Sequence, residues 1–240
     1  MRECPDVHRT AIAWEQQALG ELAARLTDPR FPCVFARTAW RAGSVRTVFC
    51  DDAPVDTAHA ALLDYTEFVQ RTPVRERLLV PLCLVFRARD AAGAIEQHAH
   101  AWHLLGALHR RDPAPWPETV PVDPDHPAWS YCFNGVQLFV NMSSQAHVQL
   151  KSRNLGRCLT LVINPRENFD VVAGATTPHG RAVRLRIRER VRAYNGRELP
   201  AGLGFHGEEG NREWRQYQLD EPAHPAPGSC PFTVRAGARR

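Results

Sequence analysis

Two groups of histidines in this chain are spaced for chemistry. His98, His100, His103 and His109 fall on or beside one stretch of helical periodicity, residues 95–108. At about 100° per residue, His98 and His109 lie about 20° apart on the helical wheel, whereas His100 and His103 share another side. No single face gathers three ligands with a carboxylate, so this helix alone does not read as a mononuclear non-haem iron centre. Solvated or hydrogen-bonded histidines explain the same pattern. His109 has the strongest claim, because Leu104, Leu105 and Leu108 are core candidates beside it and Asp112 follows three residues on, where a carboxylate can orient an imidazole.

The second group centres on His147, followed within ten residues by Lys151, Arg153 and Arg157. An imidazole leaving a strand beside clustered cations is what an axial haem ligand and two propionates require; a surface loop with solvated arginines fits the same residues. Cys33 and Cys132 fall in apolar runs, where a free thiol acts as a small hydrophobe. A thiolate ligand at Cys33 would need a fixed cavity around it. Cys4-Pro5 and Cys230-Pro231 read as chance pairs near the chain ends. The arginines at 181, 184, 186, 188, 190 and 192 place Arg184, Arg188 and Arg192 along one helix side, which could meet a phosphate backbone. A solvated helix face is the simpler reading, since no stacking platform or helix-turn-helix pattern accompanies them.

These groups must be held by elements, and the composition sets their kind. The 240 residues are 44% hydrophobic and 23% charged, which is globular. The longest nearly apolar run, 78–86, is far below the roughly 20 residues that span a bilayer, so no membrane is expected. Of 30 basic residues only Lys151 is lysine, a bias that codon usage explains, and a net charge of +4 is too weak to imply nucleic acid. The start, Met1-Arg2-Glu3-Cys4-Pro5-Asp6, carries an early acid and no apolar stretch of signal-peptide length, so a cytoplasmic protein is expected. Seven scattered cysteines without a C-x-x-C pair fit a reduced compartment and argue against a disulfide framework or a cysteine-built zinc site. The commonest nucleotide, zinc-protease and hydrolase motifs are missing.

Periodicity predicts a helix over 11–26, through Ala11, Trp14, Ala18, Leu22 and Leu26, then a hairpin from 33–35 and 45–50. A helix capped near Asp56-Thr57 runs to about 70, and 78–86 reads as a strand buried on both faces. The helix over 95–108 ends in a proline-dense stretch, 112–127. Asn134-Gly135 marks a hairpin between 129–133 and 136–140, a strand follows at 159–163, and length favours a helix over 181–194. The segment from 222 onward reads as a flexible tail. The order is that of a single α+β domain, with a mixed or antiparallel sheet and helices against one face.

Several of these residues occur in a recognisable order. Phe31-Pro32-Cys33-Val34-Phe35, Trp102-His103-Leu104-Leu105 through Leu108-His109 and Asp112, and Pro115-Trp116-Pro117 resemble the first half of the YqcI/YcgG family. Tyr131-Cys132-Phe133-Asn134-Gly135, Phe139-Val140-Asn141, His147 with Ser152-Arg153-Asn154-Leu155-Gly156, Asn164-Pro165-Arg166-Glu167 with Phe169-Asp170, and Glu213-Trp214-Arg215-Gln216-Tyr217 resemble the second. The resemblance covers about 25–220 and is closest to the guanitoxin-biosynthesis type. It implies a haem-dependent N-oxygenase: haem b, molecular oxygen as co-substrate, and a small cationic guanidine or amine as substrate. It makes His147 the first candidate for the axial ligand and His109 the second, with Lys151, Arg153 and Arg157 as propionate partners; Cys33 stays open as a ligand from its own residue type. Glu167, Asp170 and Glu213 are the candidates to hold the cationic nitrogen. Gln149-Leu150-Lys151 departs from the family's pattern, which has a basic residue shortly after the histidine. With no flavin or nicotinamide fingerprint in the chain, an external electron donor is implied. A non-catalytic haem-binding or haem-sensing protein is the alternative.

Overall fold

Five strands build one mixed sheet in the computed structural model, which describes residues 13–88, 94–174, 176–200, 203–219 and 227–234. They are β1 (Arg46–Cys50), β2 (Leu82–Phe86), β3 (Tyr131–Phe133), β4 (Val136–Ser143) and β5 (Leu159–Pro165), in the order β1-β2-β5-β4-β3. β1 and β2 are parallel and the other pairs antiparallel. All five residues of β2 are buried, which is why the sequence there runs Leu-Cys-Leu-Val-Phe without alternation. Asn134 and Gly135 take φ of 50° and 72°, the left-handed pair that a two-residue hairpin demands.

Helices cover both faces of the sheet, not one as the element order suggested. α3 (Pro54–Arg71) and α5 (Ala94–Arg110) pack on the face carrying Leu84, Val140 and Leu161. α3 begins with Pro54 in its first turn, where a missing N–H costs nothing, and buries Ala58, Leu62, Tyr65 and Val69 at helical spacing. α1 (Ala13–Thr27) and α2 (Val34–Arg41) pack on the opposite face around Val85. α6 (Arg166–Ala173) joins them through Phe169 against Phe139 of β4. α4 (Val74–Arg77) is a single turn before β2, and it packs on α6. α7 (Pro178–Asn195) is the arginine-rich segment and is helical, as its length implied. The Gly180 N–H donates to its cap Thr177 Oγ1 at 3.0 Å, and Gly196 ends it at φ 70°.

Two expectations fail here. Residues 34–41 form α2 and not a hairpin strand: Cys33 caps the helix, and β1 reaches its neighbour β2 through the long α3 crossover. Residues 227–234 are not a free tail either, since Phe232 is 3% exposed and packs on Trp129 and Tyr131.

The last helix, α8 (Glu213–Gln218), closes the sheet's far side. β3 pairs only with 136–138, leaving the rest of β4 without a strand on that side, and α8 packs there. Tyr217 Oη donates to the Leu138 carbonyl at 2.8 Å and accepts the Tyr131 N–H at 3.1 Å. Among the described residues no helix is long and apolar enough to cross a membrane.

Candidate active site

A slot lies between the sheet and the helices α2, α6 and α7. It has two adjoining lobes of about 200 and 290 Å³ that share Cys33, Phe35, Phe139, Asn141 and Ser152 in their walls. Together they fall in the ~300–1,000 Å³ range of small-molecule and cofactor pockets. Aromatic and aliphatic side chains dominate the lining, and Asn141 of β4 and Asn164 of β5 place amides on the floor.

Cys33 sits in this wall for a local reason. Its backbone is extended, and its Sγ accepts the Ala36 N–H of the first helical turn at 3.4 Å. Burial pushes the thiol pKa up; the N–H groups of Ala36 and Phe35 and the charge of Arg190 pull against it. Arg190 of α7 donates to the carbonyls of Pro29 at 3.0 Å, Phe31 at 2.7 Å and Pro32 at 3.2 Å, which fixes the loop entering Cys33. The sulfur therefore stands at a helix N-terminus, in a fixed cavity, with a cation nearby. Desolvation outweighs these opposing effects, so the side chain rests as the thiol.

The larger lobe ends in charge. Glu213 is 1% exposed. Its Oε1 accepts from Ser130 Oγ and lies 3.1 Å from Tyr217 Oη, while its Oε2 accepts from His206 Nδ1 at 3.0 Å and pairs as an ion with Arg166, whose Nε is 3.2 Å away. Arg184 and Arg188 of α7 line the same lobe, their guanidinium carbons 4.7 and 4.5 Å from the Phe205 ring centroid. Arg153 is buried too, donating to the carbonyls of Tyr217 at 3.2 Å and Gln216 at 2.9 Å; burial lowers its pKa to about 10.

A second cavity, about 780 Å³, lies along α5 and is lined by His98, Trp102, His103, His109 and Phe232 among others. The wheel argument holds in that His98 and His109 are both buried, whereas Asp112 gives its Oδ1 to the N–H groups of Ala114 and Asn134. His147 is 1% exposed and lines neither cavity; its ring packs on His98 with centroids 4.9 Å apart, and its Nε2 donates to the Gln218 carbonyl at 3.1 Å. Its Nδ1 is buried without a hydrogen-bond partner among the described residues. Burial, then the Arg153 charge, lowers its pKa to about 4, so the imidazole is neutral.

Of the residues singled out from sequence, the fold brings Cys33, Arg153 and Glu213 to the slot, together with Arg184 and Arg188 of the arginine-rich helix. His109 faces the α5 cavity. Lys151 is exposed, Arg157 pairs with Glu21 at 2.8 Å, Glu167 pairs with Arg77, and Asp170 lies 3.5 Å from Arg166. Arg166, Asn141 and Asn164 were inside quoted motifs but unassigned. Nothing in the sequence marked His206, and Arg190 was noted only as one of the arginine run; both join the site through the packing of α7 and α8.

The architecture is thus a single α+β domain with a cofactor-sized slot against one sheet face. The chain matches the YqcI/YcgG family over residues 22–233 and belongs to that family. It is 47% identical over 228 residues, 92% of this chain and 85% of the relative, to a Streptomyces lavendulae protein provisionally named N(omega)-hydroxy-L-arginine synthase DcsA. It is 29% identical over 238 residues to the uncharacterized protein YqcI of Bacillus subtilis (strain 168), spanning 94% of this chain and 90% of the relative. It is 30% identical over 229 residues to YcgG of the same organism, spanning 92% and 88%. No solved structure matches it significantly.

Proposed function

We propose that the protein is a haem- and oxygen-dependent N-hydroxylase of a small guanidine or amine, in which the slot would take the haem and the Cys33 sulfur would hold its iron. The observation that carries this reading is the Cys33 sulfur, held at the α2 N-terminus inside an apolar cavity whose far end is cationic. The donor set fits haem: one soft sulfur ligand, aromatic walls, and Arg184 and Arg188 beside the lobe for carboxylates. Arg153, by contrast, already holds backbone carbonyls.

Bound haem supplies the activation of dioxygen, with electrons from an external donor. The chain's own residues bind and orient. Phe31, Phe35, Phe139 and Phe169 exclude water from the slot. Asn141 and Asn164 line the slot with amides that can hydrogen-bond the substrate nitrogen. Glu213 is already engaged by Ser130, by His206 and by the Arg166 cation, so in this reading it supports the site. The name of the Streptomyces relative points to an arginine-like substrate.

The test is reconstitution with haem, followed by incubation with reductant, oxygen and a panel of guanidines and amines. A product one oxygen heavier supports the reading. Haem binding without turnover of any panel member would favour the non-catalytic alternative.

A further inference from the structure

We infer that His206, oriented by Glu213, carries protons from solvent into the slot; this rests on the N-hydroxylase reading. Hydroxylation of nitrogen by dioxygen breaks an N–H bond and the O–O bond. One oxygen is inserted as N–O–H and the other leaves as water, consuming two electrons from the external donor and two protons from solvent. An apolar slot needs a defined route for those protons.

The described lining of the charged lobe contains four arginines, Arg153, Arg166, Arg184 and Arg188, and a Glu213 carboxylate surrounded by donors. Apart from the proposed ligand Cys33, that leaves His206 as the lining side chain whose ring can both take up and give back a proton. Its position suits the task. The His206 side chain is 20% exposed and also lines the lobe, so one ring touches both water and the slot, while the side chain of Glu213 is only 2% exposed. A carboxylate only accepts, so Nδ1 carries the hydrogen toward Glu213 Oε2 at 3.0 Å, and Nε2 is the nitrogen that loses and regains a proton.

Both partners are fixed. Ser130 donates to Oε1 of the carboxylate, and the Arg166 cation lies 3.2 Å from Oε2. The segment bearing His206 is pinned beneath α7, where Arg188 donates to the Leu203 carbonyl at 2.9 Å and Phe205 lies against both Arg184 and Arg188. His206 is thus oriented as the bases of catalytic dyads are, by a buried acid on its remote nitrogen.

The experiment uses the full haem-loaded chain with His206→Gln and His206→Ala, each checked for fold by its ferrous-CO spectrum, which should match the wild type. Product formation should fall about 100-fold or more, with reductant consumption diverted to peroxide, and added imidazole should restore product in His206→Ala. In the haem-free chain, nitrogen-15 spectra should show His206 protonated on Nδ1, and Glu213→Gln should abolish that preference. A wild type that makes product, with an equally coupled His206→Gln, overturns the relay alone. An Nε2-protonated His206 in the wild type overturns it too. A wild type that makes no product overturns the N-hydroxylase reading and the relay with it.

Discussion

Arg190 donates to the carbonyl of Pro32 at 3.2 Å, so a side chain of α7 holds the residue immediately before Cys33. With its bonds to Pro29 and Phe31, the planar guanidinium spans three carbonyls that would otherwise splay. Arg190→Met should therefore destabilise the protein by about 2–3 kcal/mol, the scale of lost charge-assisted bonds. Arg190→Lys should recover only part of this, because a single ammonium nitrogen lacks the planar fork whose Nε and Nη2 reach the separate carbonyls. Urea unfolding of the two variants measures both; equal midpoints for Arg190→Met and wild type would remove this role.

The neutral, buried His147 makes stability depend on pH. Its pKa falls from an ordinary 6.5 to about 4 on folding, so the folded state binds that proton less tightly than the unfolded state. The stabilisation is complete above pH 6.5. It declines as pH drops through 6.5 toward 4 and levels off below, a total of at most about 3 kcal/mol. Denaturant midpoints at pH 7, 5.5 and 4 should fall more steeply for wild type than for His147→Asn, which keeps an N–H for the Gln218 carbonyl. Parallel pH profiles would contradict the assignment.

Phe232 seals the aromatic cluster from the C-terminal side, packing on Trp129, Tyr131 and His109. Phe232→Ala should cost about 3–5 kcal/mol, as expected for a fully buried aromatic. A loss below 1 kcal/mol by urea unfolding would show that this segment does not belong to the core.

Local signals announced much of this fold. Asn134-Gly135 specified its own turn, the unbroken apolar run around Leu84 specified a strand buried on both faces, and six arginines spread over twelve positions did not hide the helix of α7. Val34-Phe35 misled because two β-preferring residues outweighed the spacing of Ala36, Ala39 and Trp40, and because cysteine is an uncommon helix cap. The tail misled because its proline and glycine content says nothing of one phenylalanine meeting a distant cluster. Within the slot, Cys33 and Glu213 were legible as types. Their partners were not, since Arg190 lies 157 positions beyond Cys33 and Arg166 lies 47 before Glu213 in the chain, distances that only tertiary packing closes.

The most direct test of the account is Cys33→Ser in the haem-reconstituted, reduced and CO-bound protein. Serine is a strong helix cap, so α2 should survive and stability should stay within about 1 kcal/mol of wild type. The account predicts that the wild type shows the red-shifted absorption of a thiolate-bound ferrous-CO complex and that Cys33→Ser loses it, while His147→Ala and His109→Ala retain it. An unchanged spectrum in Cys33→Ser, with the band lost instead in His147→Ala, would contradict it.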